Sequence, residues 1–234
     1  MRSVAAIALS VCALAATPAA HATVIVNPTE DVMTSAFFFP PNFVRGYAGD
    51  NRNVHRVASD NAFGVGPETV YIQFDSADFA GLSALPEATL SLTSFPGGFS
   101  ADASSGNPFL VSAHAVNLDP FTEIIDDTTA GSVGFVDFFN NNILAADPAA
   151  ITSVDSFGIV EFDVTSIVND WIAGNNSIFV IALTGKNDPG TTDFLHGFLN
   201  NTENPGATFL TIPEPASAML ITAVGLAGLT RRRR

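Results

Sequence analysis

The sequence predicts an all-β fold, a jelly-roll-like β-sandwich with one short helix, on three observations. Apolar residues alternate with period two, Val70, Ile72 and Phe74 against Tyr71 and Gln73, and Leu90 and Leu92 against Thr89, Ser91 and Thr93. Successive side chains of an extended chain leave on opposite faces, so each run offers one face to a core. About eight or more such runs are separated by Gly, Pro, Asn and Asp clusters, which favours a sandwich or jelly roll. Only "FDVTSIVNDWIAG" has a clear helical period.

Residues 1–22 come first. Arg2 is a charged start, Val4 to Ala16 is apolar, and Ala20-His21-Ala22 is a small-x-small cleavage site. In that order these read as a secretory signal peptide cut after Ala22 rather than a buried helix. The cut removes Cys12, the only cysteine, so the exported domain has neither a disulfide nor a thiol for chemistry. Residues 23–212 follow as one β-sandwich domain of 190 residues, with no Pro/Ser/Gly-rich linker to divide it.

Strands are expected at "TVIV" from 23, "NVHRV" from 53, "ETVYIQF" from 68, "ATLSLTS" from 88, "FGIVEF" from 157 and "ATFLTI" from 207. "FLVSAHAV" at 109–116 and "SIFVIALT" at 177–184 are more apolar, as inner strands covered on both sides would be. "FDSADFAGL" reads as a short turn capped by Asp75. In the helical segment Asp163 takes the N-cap position, Ile167, Val168 and Trp171 share one face, and Gly174 is the stop. "GFVDFFNNNILAADPAA" at 134–150 reads as a helical insertion or a long loop.

The net charge of −14 for the whole chain understates the acidity of this domain. Removing Arg2 and Arg231 to Arg234 from nine basic residues leaves four, and removing Glu214 from 23 acidic residues leaves 22, a net of −18. Nucleic acid is excluded as a natural partner, because phosphate needs clustered Lys and Arg. An anionic membrane surface is disfavoured for the same reason.

Residues 213–234 form a separate signal. Ala216 to Thr230 is 15 residues, about 22 Å as a helix against a hydrocarbon core of roughly 30 Å. A permanent single-pass anchor is disfavoured by that short span. The terminal arginines stay cytoplasmic by the positive-inside rule. Pro213-Glu214-Pro215, the short apolar helix and Arg231, Arg232, Arg233 and Arg234 together resemble the PEP-CTERM sorting signal of exported proteins from Gram-negative bacteria that make exopolysaccharide. The resemblance implies transient inner-membrane insertion by the C-terminal helix, processing near the motif by an exosortase-type enzyme, and final residence at the cell surface or in the extracellular matrix.

The body has a resemblance of its own. "TVYIQFDSADFAGLSALPEATLSLTSF", "GIVEFDVTSIVNDWIAGNNSIFVIALTG" and "NNTENPGATFLTI" resemble the strand, Phe-Asp turn and closing-strand pattern of DNRLRE-type and disaggregatase-related carbohydrate-binding modules, which are jelly rolls. That implies a matrix glycan as partner. The chain departs from the pattern between 120 and 150, where no Trp-x-Glu element occurs.

Catalytic signatures are missing: there is no His-Glu-x-x-His, Gly-x-Ser-x-Gly, P-loop or dinucleotide fingerprint. His55, His114 and His196 are far apart in sequence, and His114, within an apolar strand, reads as a satisfied core or surface residue. Trp171 could stack on a sugar, but its spacing from Ile167 and Val168 favours the core.

The exposed-aromatic candidates lie in "SAFFFPPNFVRGYAG", with Phe38 and Tyr47 as the ligand-binding pair. Beside them Arg45, Asn51, Arg52, Asn53 and Arg56 are candidate partners for hydroxyls or a uronate. A competing and favoured reading of the arginines is internal, with their forks neutralising carboxylates such as Asp50 or Asp60.

Glu30 and Asp31 supply the hard oxygens of a candidate structural calcium site, a metal that such jelly-roll modules often carry. The alternative is a solvated acidic surface. The expected function is that of a non-catalytic, exosortase-processed surface or matrix protein associating with exopolysaccharide. A secreted polysaccharide hydrolase or lyase, and a purely structural matrix component, are the alternatives.

Overall fold

Every strand pairing in the computed structural model is antiparallel among the described residues, which are 22–35, 43–44, 54–58, 68–95, 108–125, 134, 137–144, 147–186 and 195–214. One layer runs β2 (Glu30–Ser35), β5 (Glu68–Gln73), β10 (Val180–Lys186), β7 (Phe109–Ala115) and β8 (Ala150–Val154), with β3 (Phe43–Val44) beside β2. The other runs β1 (Thr23–Val26), β12 (Thr208–Pro213), β6 (Thr89–Phe95) and β9 (Gly158–Asp163). Between them β11 (Leu195–Leu199) continues along β6 at Gly197 opposite Phe95, and β4 (Val54–Ala58) bridges β11 to β5 at Ala58 opposite Glu68. The turn at 155–157 carries the chain from β8, at the edge of the first layer, to β9, at the edge of the second. This is the all-β sandwich that the alternation predicts.

The principal core lies between the layers. Met33, Val70, Ile72, Val111, Ile181 and Leu183 of the first layer pack in one buried cluster with Leu90, Leu92, Phe162, Leu210 and Ile212 of the second. Removing this apolar surface from water supplies the main favourable term for a domain without disulfides.

A second cluster covers the other face of the first layer, and it corrects one expectation. Alternation in "ETVYIQF" predicts one buried face, yet Tyr71 is buried as deeply as Val70 and Ile72. Tyr71, Val32, Val180 and Ala182 face a cover built from Phe121, Ile124, Ile125, Phe138, Phe139 and Ile143. Phe138, Phe139 and Ile143 come from the 134–150 stretch that reads ambiguously in sequence, and Phe121, Ile124 and Ile125 from a segment before it; the described residues form π-helical turns at Phe121–Ile125 and Asn140–Leu144. The helical insertion is therefore the lid on a sheet face that would otherwise be wet. Phe138 meets Tyr71 edge to face at 6.1 Å between ring centres. Burial pushes the Tyr71 phenol above its ordinary range, partly offset by hydrogen bonds with Thr34 and Thr69.

The strands β2, β3, β8 and β11 are additions to the sequence reading. β2 opens on two acids and β11 has glycine at its centre, compositions that depress strand propensity in isolation. Their pairing with covered neighbours overrides it.

Helix α1 (Thr165–Ala173) buries Ile167, Val168 and Trp171, as its period predicts. Its N-cap position is Val164, one residue later than expected, and makes no side-chain cap bond. Asp163 still does the capping work, because its Oδ1 accepts from the Thr165 N–H at 3.0 Å and from the Thr165 hydroxyl at 2.6 Å. Those bonds lower the Asp163 pKa. The helix ends at Gly174 with φ 73°, a left-handed conformation costly for a residue with Cβ, and Asn175 N–H closes onto Asp170 O at 2.9 Å. The predicted Asp75 cap is present as well, with Oδ1 accepting from Ala77 N–H at the short helical turn Ser76–Phe79.

Candidate functional site

The first and last described segments of the sandwich, far apart in sequence, meet at one corner. β1 pairs with β12 in the register Thr23 opposite Pro213 and Val24 opposite Ile212. One step further out, Glu214 N–H donates to Ala22 O at 2.7 Å. The expected signal-cleavage residue and the centre of the Pro-Glu-Pro sequence are thus hydrogen-bonded neighbours.

The alternation of an antiparallel ladder explains why Pro213 is tolerated there. Ala22 and Glu214 exchange a hydrogen bond, so the next pair, Thr23 and Pro213, is a non-hydrogen-bonded pair and Val24 with Ile212 is hydrogen-bonded again. At Pro213 the missing N–H would point towards β6, which begins only opposite Thr211. Proline therefore costs the ladder nothing and ends the strand.

β12 is anchored by Leu210 and Ile212 in the principal core, whereas β1 is a thin edge. Thr23, Val24 and Ile25 are exposed and only Val26 is buried. The boundary drawn between residues 212 and 213 falls inside a strand, since Pro213 is the last residue of β12. Pro215 and Arg231, Arg232, Arg233 and Arg234 lie outside the described residues.

Most predicted ligand residues fall outside the description too: Phe38, Arg45, Tyr47, Asn51, Arg52 and Asn53. Arg56 stands in β4 with its backbone opposite Gly197. Glu30 and Asp31 are consecutive residues of β2 and leave on opposite faces. Asp31 lies on the face of Met33, is 2% exposed, and its Oδ2 accepts from Asn201 N–H at 2.7 Å, with Thr202 Oγ1 at 3.5 Å from Oδ1. Its carboxylate ties β2 to the 200–206 turn of the opposite layer. Among the described residues no three His, Cys, Asp or Glu side chains gather where they could hold a metal ion.

His114 is a core residue, its Nε2 3.1 Å from Thr184 Oγ1 on the neighbouring strand. Trp171 is 3% exposed and packs with Phe74, Phe79 and Phe179, 5.2 Å from the Phe79 ring centre.

The sequence reading did not foresee a cleft of about 390 Å³ beside that aromatic group. Phe74 and Phe179 contribute apolar surface to it, and Thr29, Gln73, Asp75 and Asp119 contribute polar groups. Asp75 and Asp119 come from turns far apart in the chain, and each spends an oxygen on a backbone N–H, Ala77 and Phe121 respectively. The sequence signal available was the Phe-Asp pair after β5, which reads as a cap and is one.

Fold and corner together define a class, an all-β sandwich whose last core strand runs directly into a terminal sorting sequence. Residues 211–234 match the PEP-CTERM protein-sorting motif. The match supports an exported protein recognised by an exosortase-type processing enzyme, with surface or extracellular residence after processing. It overlaps the fold, because Thr211, Ile212 and Pro213 belong both to the motif and to β12. No comparison supports the resemblance of the body to carbohydrate-binding modules, and no curated protein matches the chain. Among the described residues no helix is long and apolar enough to cross a membrane, and Ala216 to Thr230 lie outside them.

Proposed function

We propose that the chain is an exosortase-processed, non-catalytic surface or extracellular-matrix protein whose sandwich associates with exopolysaccharide. The observation that carries this reading is the continuity of β12 with the sorting motif. A cut beyond Glu214 detaches the membrane-directed tail and leaves every described residue of the core in place, so the sandwich is released.

Glycan association is supported by the chemistry of the cleft. A sugar offers apolar C–H faces and a fringe of hydroxyls, and the cleft sets the half-buried Phe179 beside the amide of Gln73, the hydroxyl of Thr29 and two carboxylates. The capping bonds of Asp75 and Asp119 support binding over catalysis, because each carboxylate is engaged in fixing its own turn. Phe38 and Tyr47, with Arg45, Asn51, Arg52, Asn53 and Arg56, form the second proposed contact. A structural calcium would have to take Glu30 without Asp31, whose carboxylate is buried and bonded to the Asn201 N–H.

Incubating the mature protein with exopolysaccharide from the producing bacterium tests the reading. Retention of the protein on intact polymer is the expected result, and Gln73→Ala or the Phe38→Ala/Tyr47→Ala pair weakens it. Shortened polymer chains would make the protein a hydrolase or lyase, and neither retention nor cleavage would make it a structural matrix component. Repeating the measurement with calcium and then with a chelator reads the metal.

A further inference from the structure

The hydrogen bond between Glu214 and Ala22 has a consequence that depends on which side of it each cut falls. Signal-peptide cleavage hydrolyses the Ala22–Thr23 amide: water adds, Ala22 departs as the new carboxylate of the signal fragment, and Thr23 keeps its nitrogen as an α-ammonium. The acceptor of the Glu214 N–H therefore leaves with the signal peptide. The donor stays, at the centre of the sorting motif.

We propose that the amino-terminal cut unlocks the sorting motif, so that a chain that keeps its signal peptide is a poor substrate for the sorting enzyme. This rests on the sorting function proposed above and adds its regulation. In the uncut chain Ala22 extends the β1–β12 ladder to Glu214 and engages the one backbone N–H of Pro-Glu-Pro, since proline has none. A peptidase that grips its substrate as an extended strand needs that backbone free, as in any recognition by strand addition. After the cut the ladder ends at Thr23 and Pro213, which share no hydrogen bond, and the last bonded pair is Val24 with Ile212. Glu214 then projects beyond the sheet with its N–H open to a partner. The hold is confined to one thin edge, because β1 contributes a single buried side chain, Val26. The device checks maturation: the sandwich is released only after its signal peptide has gone.

Two measurements test this. In the full chain held in detergent, amide hydrogen exchange at Glu214 speeds up about three- to tenfold when signal peptidase is added, the worth of one backbone hydrogen bond, while Leu210 stays protected. In a host with an active sorting enzyme, Ala22→Leu blocks the first cut by putting a bulky residue at the cleavage site. Loss of the carboxy-terminal tail, followed by intact mass after pulse labelling, slows by a similar factor. Adding Val24→Pro to Ala22→Leu breaks the next ladder bond and restores the rate, which membrane tethering alone would not allow. The proposal is overturned by Glu214 exchange that ignores the first cut, by a wild-type rate of tail loss in Ala22→Leu, or by a double variant as slow as the single one. Failure of the wild-type chain to lose its tail would sink the sorting reading instead, and the exchange result would still decide the lock.

Discussion

The first layer of the sandwich is dry on both faces through its centre, whereas the edge strand of the second is dry on one. In β5 the successive residues Val70, Tyr71 and Ile72 are all buried, with Tyr71 under the helical insertion and its neighbours against the opposite layer. In β9 burial alternates, Val160 and Phe162 inward, Ile159, Glu161 and Asp163 outward, and Ile159 is 64% exposed. Both strands are antiparallel and of similar length, but β5 is central and lies under the aromatic cover, whereas β9 is an edge strand. Alternation in a sequence reports the wetting of a sheet face and cannot foresee a cover supplied by a distant segment.

The largest effect expected from that contrast is at the shared centre. Phe162→Ala should cost about 4–5 kcal/mol in denaturant unfolding, because the inter-layer core is walled by sheet on both sides and cannot collapse into the gap. Phe138→Ala in the cover should cost nearer to 3 kcal/mol, since short helical turns can settle into part of the space. Equal costs would break the comparison by showing that the cover is as rigid as a sheet.

Tyr71→Phe sharpens it chemically. Losing the hydroxyl bonds to Thr34 and Thr69 should cost about 1–1.5 kcal/mol near neutral pH. Because the folded pKa is raised, the stability linked to the neutral phenol is whole below the unfolded value of about 10 and is lost as pH rises above it. Wild-type stability should therefore fall in alkali with a component that Tyr71→Phe lacks. A shared alkaline slope would mean that Tyr71 is wet and the cover open.

On the wet side the effects shrink. Asp163→Ala should cost about 0.5–1 kcal/mol by uncapping α1. The folded pKa of Asp163 is depressed, so its contribution is present above the unfolded value and is lost as pH falls through the folded one, and the variant should approach wild type in acid. Ile159→Ser should change stability by less than about 0.5 kcal/mol. A larger loss in dilute solution would reveal something packed on the outer face of β9.

Much of the architecture was legible because it is local. The runs that became β1, β5, β6, β7, β9, β10 and β12 carry their strand signal within a few residues, and Asp75, Asp163 and Gly174 announce turn and helix ends through hydrogen bonds or backbone angles made nearby. Trp171 reads as core for the same reason, one turn of helix from Ile167 and Val168. The candidate sites were less legible. The cleft takes Thr29, Gln73, Asp119 and Phe179 from four separate segments, and no spacing links them. Asp31 looks like a hard metal ligand in sequence, but the tertiary structure brings the Asn201 N–H to it.

By itself the sequence determined the all-β class, the helix and its stop, the acidity of the exported domain and the sorting motif, since each depends on composition or on neighbours a few bonds away. Tertiary structure alone decided that Phe121–Ile125 and the 138–143 segment cover the first layer, that β2 and β11 are strands, and that Ala22 meets Glu214. Those outcomes are set by pairing between segments as much as 192 residues apart, the separation of Ala22 and Glu214, and chain patterning carries no record of which distant strand will close a ladder.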